Sequence, residues 1–179
     1  PVIVRIAGSQ MMPGGYGIDY MQKFCSIAEK EGLIDAVNVT GGWHEAPVPQ
    51  ISYQLPAGGF AYLADAIKRV VKVPVIACNR INNVETMEKI LENGMADFVG
   101  TARGFLADPH FAEKVLTGMP YNRCQGCNKC IEAVLKGKPV LCAYNPEVGH
   151  EAEEKTHRKV VSAKKVLVVG AGPAGLEAA

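Results

Sequence analysis

Strand-like and helix-like segments alternate along the first two thirds of this sequence. The predicted strands cover residues 2–6, 36–39, 74–78 and 98–101, and the predicted helices cover 19–31, 62–71, 84–93 and 108–116. Asn83 is the expected N-cap of the third helix. Strands that alternate with helices about every 30 residues predict right-handed βαβ units and a parallel sheet. Four units are half of a (β/α)8 barrel, which needs about 250 residues. A small, open, doubly wound sheet is the alternative.

The last two predicted strands end in residues suited to binding a phosphate. Asn79-Arg80 follows the third strand and Ala102-Arg103 follows the fourth. Because the carboxyl ends of parallel strands lie at one edge of a sheet, the two guanidinium groups are expected close together. Two guanidinium groups beside backbone N–H donors are the donors that a phosphate monoester binds. Either arginine alone would be read as a solvated surface charge, and the pair favours phosphate.

The later part of the chain contains four cysteines in the spacing C-x2-C-x2-C-x11-C. They are Cys124, Cys127, Cys130 and Cys142. Zinc usually binds two separate C-x2-C pairs, and disulfides within this triplet would be strained. The spacing therefore favours a [4Fe-4S] cluster, with zinc second and a disulfide cluster third. Cys25 and Cys78 lie among apolar residues and are predicted to be small buried hydrophobes.

A glycine-rich turn follows an apolar run near the end of the sequence. Residues 166–169 predict a buried strand, and Gly170, Gly172 and Gly175 form G-x-G-x-x-G, which lets a pyrophosphate approach a helix N-terminus. The ribose-binding acid expected about 20 residues later would lie beyond residue 179, so FAD and NAD are not distinguished. We therefore expect a half-barrel over 1–119, a cluster segment and linker over 120–160, and the truncated start of a dinucleotide-binding domain over 161–179.

Charge and hydropathy narrow the classes of partner. Lys and Arg total 19 against 18 for Asp and Glu, which argues against a nucleic-acid partner held by bulk electrostatics. The sequence contains no apolar run near the roughly 20 residues that cross a bilayer, and no basic, cleavable signal at its start. A cytoplasmic protein without nucleic-acid or membrane partners is expected, with self-association into a homo-oligomer as a further expectation.

In this order, the half-barrel, the cysteines and the glycine turn resemble the iron–sulfur flavoenzymes of the Old Yellow Enzyme class. That class includes 2,4-dienoyl-CoA reductase, 2-enoate reductase, bile-acid enoate oxidoreductase and trimethylamine dehydrogenase. The most specific stretches are 4–6, 42–47, 96–109 and 124–130. The resemblance implies an enzyme that reduces activated C=C bonds in a small alkene or acyl-CoA. Electrons would pass from NAD(P)H to FAD, then to a [4Fe-4S] cluster, FMN and the substrate.

The resemblance also implies roles for individual residues. Arg5 would face the FMN pyrimidine edge, and the four cysteines would ligate the cluster. The FMN phosphate would be held by Asn79, Arg80, Ala102 and Arg103, and the FAD or ADP pyrophosphate by Gly170, Gly172 and Gly175. His44 is a catalytic candidate by position, and a loop histidine bonded to Glu45 or to backbone is an equal alternative.

Two motifs point to different branches of the class. The x2 gap between Cys127 and Cys130 is nearer to the amine dehydrogenase, whereas residues 43–47 favour the enoate and dienoyl-CoA branch. Amine dehydrogenase is therefore the first alternative function, and a zinc-bearing structural module is the second. The proton donor is expected outside these 179 residues, and the chain alone is predicted to be inactive.

Overall fold

Strands and helices alternate through the first hundred residues, as the sequence predicts. The computed structural model describes residues 1–43, 45–48, 53–151, 162 and 164–178. The elements in chain order are β1 (Ile3–Ala7), α1 (Ile18–Lys30), β2 (Ala36–Thr40), α2 (Ala61–Lys68), β3 (Val75–Ala77), α3 (Val84–Glu92), β4 (Phe98–Val99), α4 (Arg103–Ala107), α5 (Phe111–Thr117), α6 (Lys129–Leu135) and α7 (Pro173–Ala178).

The four strands form one parallel sheet in the order β1-β2-β3-β4. Each strand pairs with the next one along the chain, and the register aligns Arg5 with Asn38, Asn38 with Ile76, and Ile76 with Phe98. A doubly wound sheet reverses its strand order at a switch point. The uninterrupted order is that of a (β/α)8 barrel, so the structure favours the barrel over the doubly wound alternative.

One face of the sheet packs against the helices and forms the core. Val37, Val39 and Val75 on this face are at most 2% exposed, and Leu63 and Ile67 of α2 are equally buried against them. Burying a side chain of this size contributes roughly 1.5–3 kcal/mol. Residues two positions apart along a strand, such as Val37 and Val39, thus face the helices.

The other face of the sheet is largely open. Ile3 and Phe98 on this face leave 59% and 57% of their surfaces exposed, and Arg5 is also exposed. Parallel sheets are normally buried on both faces. An open second face with apolar side chains is therefore the form expected for part of a barrel wall.

The predicted start of α3 is confirmed, and the predicted start of α5 is wrong. The Asn83 Oδ1 accepts a hydrogen bond from Thr86 N at 2.9 Å, which confirms the predicted N-cap. α5 begins at Phe111, with His110 as N-cap, rather than at the predicted Asp108. The reason is that the Asp108 carboxylate accepts from His110 N at 3.0 Å, which forms a turn before the helix.

The sequence predicts neither of the short helices α4 and α6, which have five and seven residues. The predicted strand over 166–169 is wrong, since residues 164–170 form no strand and Val166, Leu167 and Val169 are 77–88% exposed. No described strand pairs with this run.

Cys25 and Cys78 are buried as predicted, and burial raises the pKa of Cys25 to about 11. Among the described residues, no helix is long and apolar enough to cross a membrane.

Candidate functional site

A cleft of about 470 Å³ opens at the carboxyl ends of the strands. Its lining comes from the strands, from the loops that follow them and from α6. The lining residues are Arg5, Asn38, Cys78, Asn79, Arg80, Ile81, Asn82, Gly100, Thr101, Ala102, Arg103 and Ile131. All five cofactor-binding residues predicted within the first 119 residues are among them. The structure therefore brings these five residues together, and their roles stay predictions.

The wall formed by β1, β2 and β3 is a small polar network centred on Asn38. The Asn38 Oδ1 accepts from Arg5 Nη1 and from Cys78 Sγ, both at 3.3 Å. Burial raises the pKa of Cys78, although the Asn38 bond and the nearby Arg5 charge oppose that shift. A Cβ at Gly100 would lie 2.7 Å from the Cys78 sulfur, so glycine allows β4 to approach β3 closely here. The network holds the Arg5 guanidinium at one side of the cleft.

The chain turns sharply where β3 ends. Asn79 and Arg80 have φ values of 74° and 55°, in the left-handed region that costs a non-glycine residue about 1–2 kcal/mol. The turn is fixed by Gly58 N, which donates to Arg80 O at 3.0 Å. Strained backbone of this kind is typical of functional sites.

The Arg80 guanidinium links two loops to the strand end. Its Nε donates to Leu55 O at 3.1 Å, its Nη2 to Tyr53 O at 3.0 Å and its Nη1 to Gly126 O at 3.4 Å. Burial, and then the neighbouring Arg103 charge, lower its pKa. Arg80, which is predicted to bind phosphate, thus also connects the cleft to the part of the chain that contains Cys124 and Cys127.

Four cysteines line a second, small cavity that adjoins the cleft. Cys124, Cys127, Cys130 and Cys142 share this lining with Arg103, Leu106, Gln125, Gly126, Asn128, Ala143 and Tyr144. Burial raises the pKa of Cys130, and the Arg103 charge partly offsets that rise. Arg103 borders both cavities, and its Nη1 donates to Asn128 Oδ1 at 2.5 Å.

The second cavity is lined by four thiols, the donor type that an iron–sulfur cluster takes. Within the described ranges, no group of three or more His, Cys, Asp or Glu side chains is placed to hold a metal ion. A [4Fe-4S] cluster is held by four cysteine thiolates, which suits thiols spread around a cavity. The enclosed volume of about 20 Å³ is close to that of one water, so the surrounding loop would have to widen to admit a cluster.

The remaining predicted residues lie elsewhere. Gly170, Gly172 and Gly175 border neither cavity. Gly170 and Gly172 precede α7, and Gly175 lies within it. A Cβ at Gly175 would lie 2.0 Å from Gly170 O, so glycine is required there. His44 lies outside the described residues, and its catalytic role stays a prediction.

Sequence reasoning missed several residues of the site, among them Asn38, Asn128, Asn82 and Gly126. Asn82 Nδ2 donates to Cys124 O. Gly126 has a φ of 67°, and a Cβ there would lie 2.1 Å from Arg80 Nη1. A contact between a side chain and a distant carbonyl has no sequence signature. The glycine inside C-x2-C was the one available sign of a turn.

A parallel sheet with a polar cleft at its carboxyl edge is the arrangement in which α/β enzymes place their sites. The chain belongs to the NADH:flavin oxidoreductase / NADH oxidase family, which it matches over residues 2–122. This confirms the resemblance that the sequence indicated. The family is one of enzymes.

The chain is similar to proteins that differ in their named activities. It is 49% identical to a metal reductase of Desulforamulus reducens over 180 residues, which is 99% of this chain and 27% of that protein. A solved structure of 2-naphthoyl-CoA reductase in complex with 2-naphthoyl-CoA has a TM-score of 0.90 and 32% identity, covering 99% of this chain and 28% of that one. Histamine dehydrogenase from Rhizobium sp. 4-9 has a TM-score of 0.79 and 28% identity, covering 98% and 26%. The chain thus spans about a quarter of the length of these proteins.

Proposed function

We propose that this chain forms the FMN- and cluster-binding part of an NAD(P)H-dependent oxidoreductase that reduces activated C=C bonds of the enoate or dienoyl-CoA type. The observation that carries the proposal is that two sets of residues, predicted separately, line two adjoining cavities that share Arg103. The similarity to 2-naphthoyl-CoA reductase supports an acyl-CoA or related conjugated substrate.

The cleft residues would bind FMN through charge and backbone donors. Arg5, held by Asn38, would present a cation to the flavin ring, and cations near the ring tune the electronics of a flavin. Asn79, Ala102 and Arg103 would bind the phosphate, with Arg80 sharing its donors between phosphate and backbone carbonyls. These roles depend on groups that lie on one rim of the cleft.

The four cysteine thiolates would hold a [4Fe-4S] cluster in the adjoining cavity, and Gly170, Gly172 and Gly175 would contact the pyrophosphate of FAD or NAD. When bound, these cofactors would supply electron transfer, in the proposed order NAD(P)H, FAD, cluster, FMN and substrate. The chain's own contribution would be to hold the cluster thiols next to the flavin cleft, with the Arg103 charge bordering both cavities and the Arg80 charge bordering the cleft.

The proposal is tested on protein produced from the complete reading frame and handled without oxygen. We expect FMN, iron and acid-labile sulfide in the purified protein, and NAD(P)H-dependent reduction of a cinnamate-type enoate or an enoyl-CoA. Protein that contains neither iron nor labile sulfide would contradict the cluster assignment. Protein that contains both and reduces none of these alkenes would contradict the substrate class.

Two further functions are each favoured by a specific similarity. The likeness to histamine dehydrogenase and the short gap between Cys127 and Cys130 favour amine oxidation. The 49% identity to a metal reductase favours a metal ion as electron acceptor. Amine-dependent reduction of an artificial dye would identify the first function, and NADH-dependent reduction of a ferric chelate the second. Zinc in place of iron would support a structural module instead.

A further inference from the structure

Three side chains from the strand ends hold the loop that contains the first three cysteines. We call residues 124–130 the cysteine loop. Asn82 Nδ2 donates to Cys124 O, Arg80 Nη1 donates to Gly126 O at 3.4 Å, and Arg103 Nη1 donates to Asn128 Oδ1 at 2.5 Å. The anchored residues are 124, 126 and 128, so one anchor falls on a cysteine and the other two flank Cys127. The loop is therefore fixed to the rim of the cleft along most of its length.

We propose that Asn82 is a positioning residue for the metal group that the four cysteines bind. This inference rests on the proposed function. Asn82 borders the cleft, and its amide holds the main chain of a ligand residue. Unlike the two arginines, it carries no charge, so its effect on the metal group comes through the position of Cys124.

The physical basis is the backbone of the ligand residue. Hydrogen bonds around a metal site orient its ligands and tune the metal. The cysteine loop must widen to admit a cluster, since the enclosed space is about 20 Å³. An anchor at its first residue then determines where the loop opens. Without Asn82, the loop would keep the Arg80 and Arg103 anchors and would lose the one nearest to Cys124.

The test compares Asn82→Ala and Asn82→Asp with wild-type protein from the complete reading frame. Aspartate keeps the size of the side chain and removes the N–H donor. We measure the rate of anaerobic iron release to a chelator and the width of the electron paramagnetic resonance signal of the reduced protein. Both variants should release iron roughly three- to tenfold faster, the size expected for one net hydrogen bond, and should show a broader signal.

Asn93→Ala is the matched control. Its Nδ2 also donates to a backbone carbonyl, Lys89 O at 2.7 Å, but it caps the end of α3 at the surface. Iron release at the wild-type rate is expected for this variant. Hydrogen exchange at residues 18–30 reports whether each variant is folded, and exchange at 122–130 should rise only in the Asn82 variants.

The outcomes separate this inference from the proposed function. If the wild-type protein contains iron and sulfide but Asn82→Asp releases iron at the wild-type rate, the positioning role is wrong and the cluster assignment stands. If the wild-type protein contains no iron, the cluster assignment is wrong, and the positioning role falls with it.

Discussion

Asp108 is a buried carboxylate at the junction between the sheet domain and the cysteine segment. It is 2% exposed, and it accepts from Lys114 Nζ at 2.7 Å, from His110 N at 3.0 Å and from Asn122 N at 3.0 Å. Burial alone would raise its pKa, but the ammonium group and the two N–H donors outweigh burial and hold the pKa below the ordinary value. A single side chain thus ties the start of α5 to the chain that leads into the cysteine loop.

The lowered pKa of Asp108 predicts an acid-dependent stability. Its contribution is fully present above the unfolded-state pKa of about 3.9 and is lost as the pH falls through the lower folded-state value. Asp108→Asn should reduce the free energy of unfolding at pH 7 by roughly 2 kcal/mol, the size of one hydrogen bond to a charged group. The variant's free energy of unfolding should also fall less steeply than that of the wild type below about pH 4. Urea unfolding from pH 3 to 7 measures both effects. Glu31→Gln is the exposed control, and an equally steep decline in Asp108→Asn would contradict the assignment.

Asn83 gives a second prediction at the level of one residue. It is 3% exposed, and its Oδ1 satisfies the N–H of Thr86 in the first turn of α3. Asn83→Ala should lower the free energy of unfolding by about 1 kcal/mol, because an N-cap acceptor is lost. Thermal and urea unfolding measure the change. Asn93→Ala, at the exposed end of the same helix, should cost less, and equal losses would mean that the cap is not the cause.

Among the elements, the cysteine loop depends on a glycine. Gly126 has a φ of 67°, and a Cβ there would lie 2.1 Å from Arg80 Nη1. Gly137 has a φ of 65° and no atom within 4 Å of its Cβ position, so it is a matched control for backbone strain. Both alanine variants should lose about 1 kcal/mol of stability. Only Gly126→Ala should also lower iron content, which elemental analysis of anaerobically purified protein measures. Equal iron contents would show that the Arg80 contact is not needed.

The elements also show which parts of the fold the sequence could predict. α1, α2 and α3 carry apolar residues at helical spacing. Their predicted ends lie within three residues of the observed ends. α4 and α6 have five and seven residues, too few for a period to be recognised. The run 166–169 has the composition of a strand, but a strand requires a neighbour, and sequence alone does not supply one.

At the scale of the molecule, the open face and edges of the sheet govern behaviour in solution. β1 is an edge strand, and Val2 and Ile3 are both more than half exposed. Unpaired edges with apolar side chains promote association between chains. The 179-residue chain should therefore self-associate in a concentration-dependent way, which sedimentation velocity measures. Ile3→Lys should weaken association, whereas Ile27→Lys, which places the same charge at a similarly exposed site on α1, should change it less. A monodisperse monomer at all concentrations would contradict this prediction.

The candidate site was predictable where chemistry follows strand ends or cysteine spacing. Arg80 and Arg103 follow from the rule that parallel strands end at one edge, whereas Arg5 was implied by the family resemblance. The cysteine spacing likewise placed four thiols on one cavity. Asn82 and Asn128 were not predictable, because their partners are set by how two segments pack and not by any local pattern.

Arg103 borders both cavities, and this places an evolutionary constraint on one codon. If the proposed function is correct, a replacement there would have to serve a flavin phosphate and a cysteine-bound metal group at the same time. Lysine keeps the charge and lacks the planar fork that reaches Asn128 while facing the cleft. Among homologous sequences, position 103 should accordingly drift far less than position 123, whose arginine lies exposed and lines neither cavity.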